Sequence, residues 1–168
     1  MAKKSIKITL YMSEMIYDVQ NKTYLKGRSK TEIDATRKAY MQANDDDENL
    51  NQVLRSIGGA YGSLKAELSE NIVEQASSGN NIQMDQENIV VMMSMPSNFN
   101  EAAVEVISTG MHKYIVNTAI AEWFDLTSPD DSKNYANLAV ENMREVHEGF
   151  NKRVRPERPE VEPEDEGQ

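Results

Sequence analysis

The sequence of 168 residues contains no cysteine, only two histidines and no run of 18 uncharged apolar residues. Without cysteine the chain has no disulfide, no thiolate metal site and no cysteine nucleophile. Without a long apolar run, no segment is predicted to span a membrane. The basic residues near the start are not followed by an apolar segment, so we expect no secretory signal there.

Basic residues are also few: the chain has 18 Lys and Arg against 28 Asp and Glu, so the net charge is −10. A surface of this sign repels phosphate groups on average. We therefore do not expect a nucleic-acid binder of the basic-patch type.

Side chains for catalysis or metal binding lack the required spacing. His112 and His147 are isolated, with no second histidine at ligand spacing. The acidic run at 44–48 lacks the alternating acids and central glycine of a calcium loop, and is more typical of a helix start, where acids favour the helix dipole. Serine-elbow and phosphate-loop motifs are missing as well. We predict no catalytic residue, no metal and no cofactor, and a protein that is not an enzyme.

Two segments alternate or cluster their apolar residues as strands do. Ile6, Ile8 and Leu10 alternate with polar residues, which predicts a strand near 5–11 with one apolar face. The apolar run at 89–95 stops before Pro96 and predicts a buried strand. We expect these two strands to pair, with a short third strand near Ile82 and Met84.

The remaining segments have helical spacing. The first helix is predicted from Ser13 to near Gly27, followed by a basic loop at 26–30, and the second begins at a cap on Thr31. A third helix begins at Leu50. The fourth runs from a cap pair of Asn98 and Glu101 to near Asp125, and the fifth begins at Ser128. A short turn at 126–127 makes the last two helices an antiparallel hairpin. The fold class predicted is α+β, mainly α: a helical bundle with this C-terminal hairpin and a small two- or three-stranded sheet.

Three features predict surfaces that need a neighbour. The helix from Leu50 carries a heptad seam, which requires a second helix from the same chain or from another copy. The seam consists of Leu50, Leu54, Ile57, Tyr61, Leu64 and Leu68. Glycines at 58, 59 and 62 mark either a kink or the close approach of another backbone. The helix near 98–125 is apolar on most sides, so it is central or lies between partners. The small sheet would be marginal alone.

The C-terminal segment separates from the rest by composition. Residues 157–168 include six acids and one base, Arg158, and prolines at 156, 159 and 163 prevent a helix. We predict a single mainly helical domain over 1–154 and an acidic, proline-rich, extended or disordered arm over 155–168. The arm either stays solvated or orders along a partner.

The layout of residues 96–158 resembles the head-to-tail connector proteins of tailed bacteriophages, which form the neck or adaptor ring. It places an apolar strand before Pro96, a long helix that closes in 121–124, a short turn at 128–131 and a returning helix that ends in a basic run at 152–155. The resemblance implies a structural virion protein, assembled in the bacterial cytoplasm, that forms a ring with copies of itself. It also implies docking on the portal or the next neck protein, with DNA only as a non-specific passenger in the channel.

This resemblance implies a set of residues that contact partners. They are Trp123, Phe124, Arg153, Arg155, Pro156 and Val161. The alternative reading is a helical, non-enzymatic adaptor or regulatory module that binds another cellular protein. No cofactor and no membrane contact is expected in either case.

Overall fold

The two predicted strands form an antiparallel pair. A computed structural model describes residues 3–73, 79, 81 and 85–156 of the chain. In it β1 (Lys4–Leu10) pairs with β2 (Ile89–Met95), with Ile6 opposite Met93 and Ile8 opposite Val91. One face of the sheet is buried and the other is open to solvent, as the alternation of β1 predicts.

A third segment pairs with the other edge of β2. Ile72 forms an isolated bridge with Met93, the Val73 amide donates to the Met92 carbonyl at 2.9 Å, and the Ser94 amide donates to the Asn71 carbonyl at 2.7 Å. The third strand predicted near Ile82 and Met84 lies outside the described residues.

Helices account for 66% of the structure, which confirms the mainly α, α+β fold class. The part of the chain that the structure describes contains α1 (Met12–Ser29), α2 (Ala35–Met41), α3 (Asp47–Glu67), a short 3-10 turn (Glu101–Ala103), α4 (Val104–Thr127) and α5 (Pro129–Phe150). The turn between α4 and α5 consists of Ser128, so the antiparallel hairpin is confirmed.

Two helix starts are capped as local chemistry requires, though one cap differs from the prediction. The Asp34 carboxylate accepts a hydrogen bond from the Arg37 amide at 2.7 Å, so Asp34 and not Thr31 caps α2. Asp46 accepts from the Asn49 amide at 2.9 Å and caps α3. The acidic run before α3 therefore acts as a helix start.

Two other boundaries also differ from the predictions. Asn100, not Asn98, supplies the cap before α4, where its side chain accepts from the Ala102 amide. The expected loop at 26–30 is wrong, because α1 continues to Ser29. Gly27 is buried where an added Cβ would lie 3.1 Å from the Lys38 carbonyl oxygen, so this glycine allows close packing against α2.

The helix α4 lies at the centre of the molecule. It contacts α1, α2, α3, α5 and β1, and the buried residues of all these elements form one apolar cluster from Ile6 to Phe150. The heptad seam of α3 packs on α4, with Ile57 and Leu64 fully buried. The helix that covers this seam therefore belongs to the same chain and not to another copy. Gly59 and Gly62 face open space and bring no backbone close.

The hairpin of α4 and α5 is the most closely packed pair of helices. An added Cβ on Gly110 would lie 2.7 Å from Cγ2 of Val146, and one on Gly149 would lie 2.6 Å from Cγ1 of Ile107. The Asn117 side chain donates to the Asn142 side chain at 2.7 Å in the buried interface. The glycines permit the approach, and the amide pair fixes the register of the helices.

Candidate interaction surfaces

Each histidine lies in a contact between two helices. His112 Nε2 lies 3.0 Å from Asp18 Oδ2 and joins α4 to α1, and His147 Nε2 lies 3.2 Å from Glu67 Oε1 and joins α5 to α3. Each histidine thus has one carboxylate partner. Among the described residues no cluster of three or more His, Asp or Glu could hold a metal ion.

A buried carboxylate joins the end of α1 to the start of α5. Asp131 is 3.2 Å from Lys26 Nζ, also contacts Lys30 Nζ, and accepts a hydrogen bond from Ser128 Oγ at 2.6 Å. Burial raises the pKa of the Asp131 carboxyl, but hydrogen bonds from Lys30, Ser128 and Lys26 outweigh burial and leave this pKa below its ordinary value. The group has a complete set of partners and acts as a structural tie.

A cleft at the C-terminal end of α4 is the first surface that could take a partner. We call it the Trp123 cleft. It encloses about 670 Å³ and is lined by residues of α2, α3 and α4 and the 42–44 turn, namely Arg37, Ala39, Tyr40, Gln42, Asn44, Asn49, Trp123, Leu126 and Thr127. The Trp123 indole donates to the Met41 carbonyl at 2.9 Å, which fixes the ring in the wall.

The rim of the Trp123 cleft exposes two large apolar side chains. Tyr40 is 71% exposed and Leu126 is 82% exposed. Aromatic and arginine side chains around such an apolar rim are the residues that dominate the energy of protein interfaces. The cleft therefore has the composition of a docking surface. Trp123 lines it, and its contact with a partner stays a prediction.

Phe124 does not share this surface. Its side chain is fully buried, and its ring lies 5.5 Å from the ring of Tyr135 on α5. The expectation that Phe124 contacts a partner is wrong, because α4 turns this residue toward the hairpin interface.

The C-terminal basic run lies beside the start of α4. Arg153 forms an isolated bridge with Phe99 and donates a hydrogen bond to the Phe150 carbonyl, so its guanidinium is tied to the end of α5. Arg155 and Pro156 are exposed. Val161 lies outside the described residues.

The second candidate surface is the outer edge of β1. In β2 the Met92 carbonyl and the Ser94 amide bond to residues 71–73, so residues 89, 91, 93 and 95 direct their backbone groups toward β1. Because opposite residues of a hydrogen-bonded antiparallel pair exchange both bonds, residues 4, 6, 8 and 10 of β1 face β2. The backbone groups of Ser5, Lys7 and Thr9 point outward. We call this the open edge.

The open edge has no partner within the parts of the chain that the structure describes. None of the three outward-facing residues has a backbone hydrogen bond to another described segment. A groove of about 380 Å³ lies beside its far end, lined by Thr9, Leu10, Tyr11, Glu14, Ser108, Thr109 and His112. An added strand would find both backbone partners and space for side chains here.

The two candidate surfaces lie toward opposite ends of α4. The groove contacts α4 at 108–112 and the Trp123 cleft contacts it at 123–127. At 1.5 Å rise per residue these positions are about 20 Å apart along the helix axis. The chain thus presents two unlike surfaces that are well separated.

Comparison with known proteins gives no family assignment. No family model, curated protein or solved structure matches the chain. No helix in the described ranges is both long and apolar enough to cross a membrane.

Proposed function

We propose that this chain is a structural virion protein that forms a ring in the head-to-tail neck of a tailed phage. The ring docks on the portal or on the next neck protein and surrounds the DNA channel. The resemblance of residues 96–158 to connector proteins is the reason for proposing this class of assembly. The open edge of β1 is the observation that carries the proposal, because its unpaired backbone groups offer a template on which a strand from another molecule can pair.

Three surfaces were expected to need a neighbour, and the structure divides them. The heptad seam of α3 and most of the apolar surface of α4 are covered by the chain itself. Residues 71–73 pair with the β2 side of the sheet, and no segment that the structure describes pairs with the β1 side. A backbone edge cannot be satisfied by apolar packing, so this surface is the strongest argument for association.

A ring also needs two different surfaces that fit each other head to tail. The open edge is polar, with Lys7 at its centre, whereas the Trp123 cleft has an apolar rim. Two unlike and separated surfaces suit contacts with two different neighbours. The net charge of −10 suits a channel wall along which DNA passes without sticking.

The mass of the particle tests this proposal. Light scattering and electron microscopy would be applied to the chain alone and mixed with a phage portal protein. We expect rings, either alone or on the portal. A particle of 19.0 kDa under both conditions would contradict the ring and favour the adaptor module.

A further inference from the structure

We infer that the open edge of β1 binds the acidic C-terminal tail of a second copy of this chain, as an added antiparallel strand. The inference rests on the proposed association of copies, and it names the segment that joins them. The tail is residues 157–168, which follow the described residues and carry a net charge of −5.

The sequence of the tail has the period of a strand. Pro159, Val161 and Pro163 alternate with Glu160, Glu162 and Glu164. One face of an extended chain would therefore be apolar and the other acidic. The segment between the prolines is as regular in this respect as β1 itself.

The prolines fix which residues could bond to β1. Proline has no amide hydrogen, so within a sheet its nitrogen must point away from the neighbouring strand. Pro159 and Pro163 therefore direct the backbone groups of the even-numbered residues toward β1. The new outer edge would carry the prolines, which would prevent a further strand from adding.

Side-chain chemistry then selects the antiparallel direction. In an antiparallel pair the bonded residues lie directly opposite each other and share a face. Glu162 opposite Lys7 places Glu160 and Glu164 opposite Thr9 and Ser5, on the open face of the sheet. Val161 then lies opposite Ile8 on the apolar face.

The same alignment matches charge and space at both ends of β1. The acids 164–166 come beside Lys3 and Lys4, and Arg158, the one base of the tail, comes beside Tyr11 near Glu14. Pro159 lies opposite Leu10, at the groove beside the open edge. A lysine on a strand edge discourages neutral and basic strands, and it favours an acidic one.

The path of the chain excludes its own tail from this arrangement. The Asn100 amide donates to the Lys152 carbonyl, the Val154 amide donates to the Asn98 carbonyl, and Lys4 Nζ donates to the Phe99 carbonyl. Residues 152–154 therefore lie near the Lys4 end of β1. A tail that ran from that end along its own β1 would be parallel to it.

A parallel strand would have the wrong faces. In a parallel pair a residue that directs both backbone groups at its neighbour lies opposite a residue whose groups point away. The glutamates would then share the buried face with Ile6, Ile8 and Leu10. Because uncompensated charges against a core are strongly unfavourable, the donor is a second copy.

Disulfide trapping tests the pairing directly, since the chain has no cysteine of its own. One preparation carries Lys7→Cys and a second, distinguishable by a tag, carries Glu162→Cys. Bonded antiparallel residues have Cα atoms about 5.5 Å apart, within the range that a disulfide spans. The control replaces Glu162→Cys by Val161→Cys, whose side chain points to the other face.

We expect the mixed preparations to form a disulfide between copies on oxidation with diamide, in at least about tenfold higher yield than the control pair. Equal yields for the two pairs would overturn the inference. A disulfide that forms only within single chains carrying both Lys7→Cys and Glu162→Cys would also overturn it, because the tail would then be bound to its own chain.

A second measurement compares proline substitutions at even-numbered and odd-numbered positions of the tail, in the full chain. Glu160→Pro removes an amide that faces β1, whereas Val161→Pro removes one that faces away, and Glu160→Gln removes only the charge. We expect Glu160→Pro to weaken association of copies by at least about tenfold, and the other two variants to change it less than about threefold. Equal effects of Glu160→Pro and Val161→Pro would overturn the pairing.

The outcomes separate this inference from the proposed function. Rings on a portal without the specific disulfide would leave the proposed function in place and overturn tail exchange. The specific disulfide without assembly on any portal would support tail exchange and contradict the neck protein.

Discussion

The α4–α5 hairpin and the β1–β2 sheet satisfy their surfaces in different ways. In the hairpin, glycines bring two helices together, and the backbone groups of each helix, apart from those in its end turns, have partners in the same helix. Among the described residues, β2 pairs along both of its edges, whereas β1 pairs only with β2. The comparison teaches that apolar surface can be covered by any well-shaped neighbour, whereas the backbone groups of a strand edge bond either to water or to another strand.

The sharpest test of the hairpin is the removal of its central aromatic side chain. Phe124→Ala leaves a cavity in the core, and we expect the free energy of unfolding to fall by about 3–5 kcal/mol. Leu126→Ala, two residues away and 82% exposed, should change it by less than about 0.5 kcal/mol. Urea unfolding followed by circular dichroism measures both. Equally small effects of the two substitutions would contradict the burial of Phe124.

The close approach of the helices gives the next largest effect. Gly110→Ala places a methyl group against Val146, and we expect the free energy of unfolding to fall by about 1–3 kcal/mol. Gly59→Ala on α3 meets open space and should raise it by about 0.5–1 kcal/mol, because alanine is the better helix former. Thermal unfolding measures both variants. If the two substitutions changed the free energy of unfolding in the same direction, the close packing at Gly110 would be contradicted.

The ionic tie between α1 and α5 gives an effect that depends on pH. Asp131→Asn should lower the free energy of unfolding at neutral pH by about 1–2 kcal/mol, since its lysine partners are about one-third exposed. The pKa of Asp131 in the folded chain is below its ordinary value of 3.8, so the stabilisation is complete above that pH.

The stabilisation is lost as the pH falls through the lowered pKa of the folded chain. The difference in unfolding free energy between the parent chain and Asp131→Asn should therefore be constant from neutral pH to about pH 5 and shrink below pH 4. A difference that grew in acid would contradict the lowered pKa. Denaturant unfolding over this pH range measures it.

The smallest effect is expected at an exposed contact between a histidine and a glutamate. His147→Ala removes a contact with Glu67 in which both side chains are about half exposed, and the free energy of unfolding should change by less than about 0.5 kcal/mol. Assembly should also be unchanged. Loss of assembly with the fold preserved would give His147 a functional role that its geometry does not indicate.

The sequence patterns predicted most of the secondary structure, because period and caps are local. The alternation around Ile6 and Ile8 predicted β1 and its buried face, and the apolar run at 89–95 predicted its partner strand. The Ser128 and Pro129 pair predicted the start of α5. Gly27 was misleading, since a glycine that ends a helix and one that packs a helix closely look the same in sequence.

The surfaces were harder to predict, because they depend on which elements meet. The apolar pattern of α4 was compatible with a central helix or with partners, and only the fold showed four other helices and β1 around it. Trp123 and Phe124 are neighbours in sequence but lie in a cleft and in the core, respectively. The open edge depends on the bond between Val73 and Met92, which no local pattern indicates.

Amide hydrogen exchange at the outward positions of β1 tests the central claim most directly. The amides of Lys7 and Thr9 have no partner in the described fold, whereas those of Ile6 and Ile8 face β2. At high dilution we expect Lys7 and Thr9 to exchange rapidly, and in the assembled particle we expect them to become as protected as Ile6 and Ile8. Rapid exchange at Lys7 and Thr9 in every state, including the assembled one, would contradict the account.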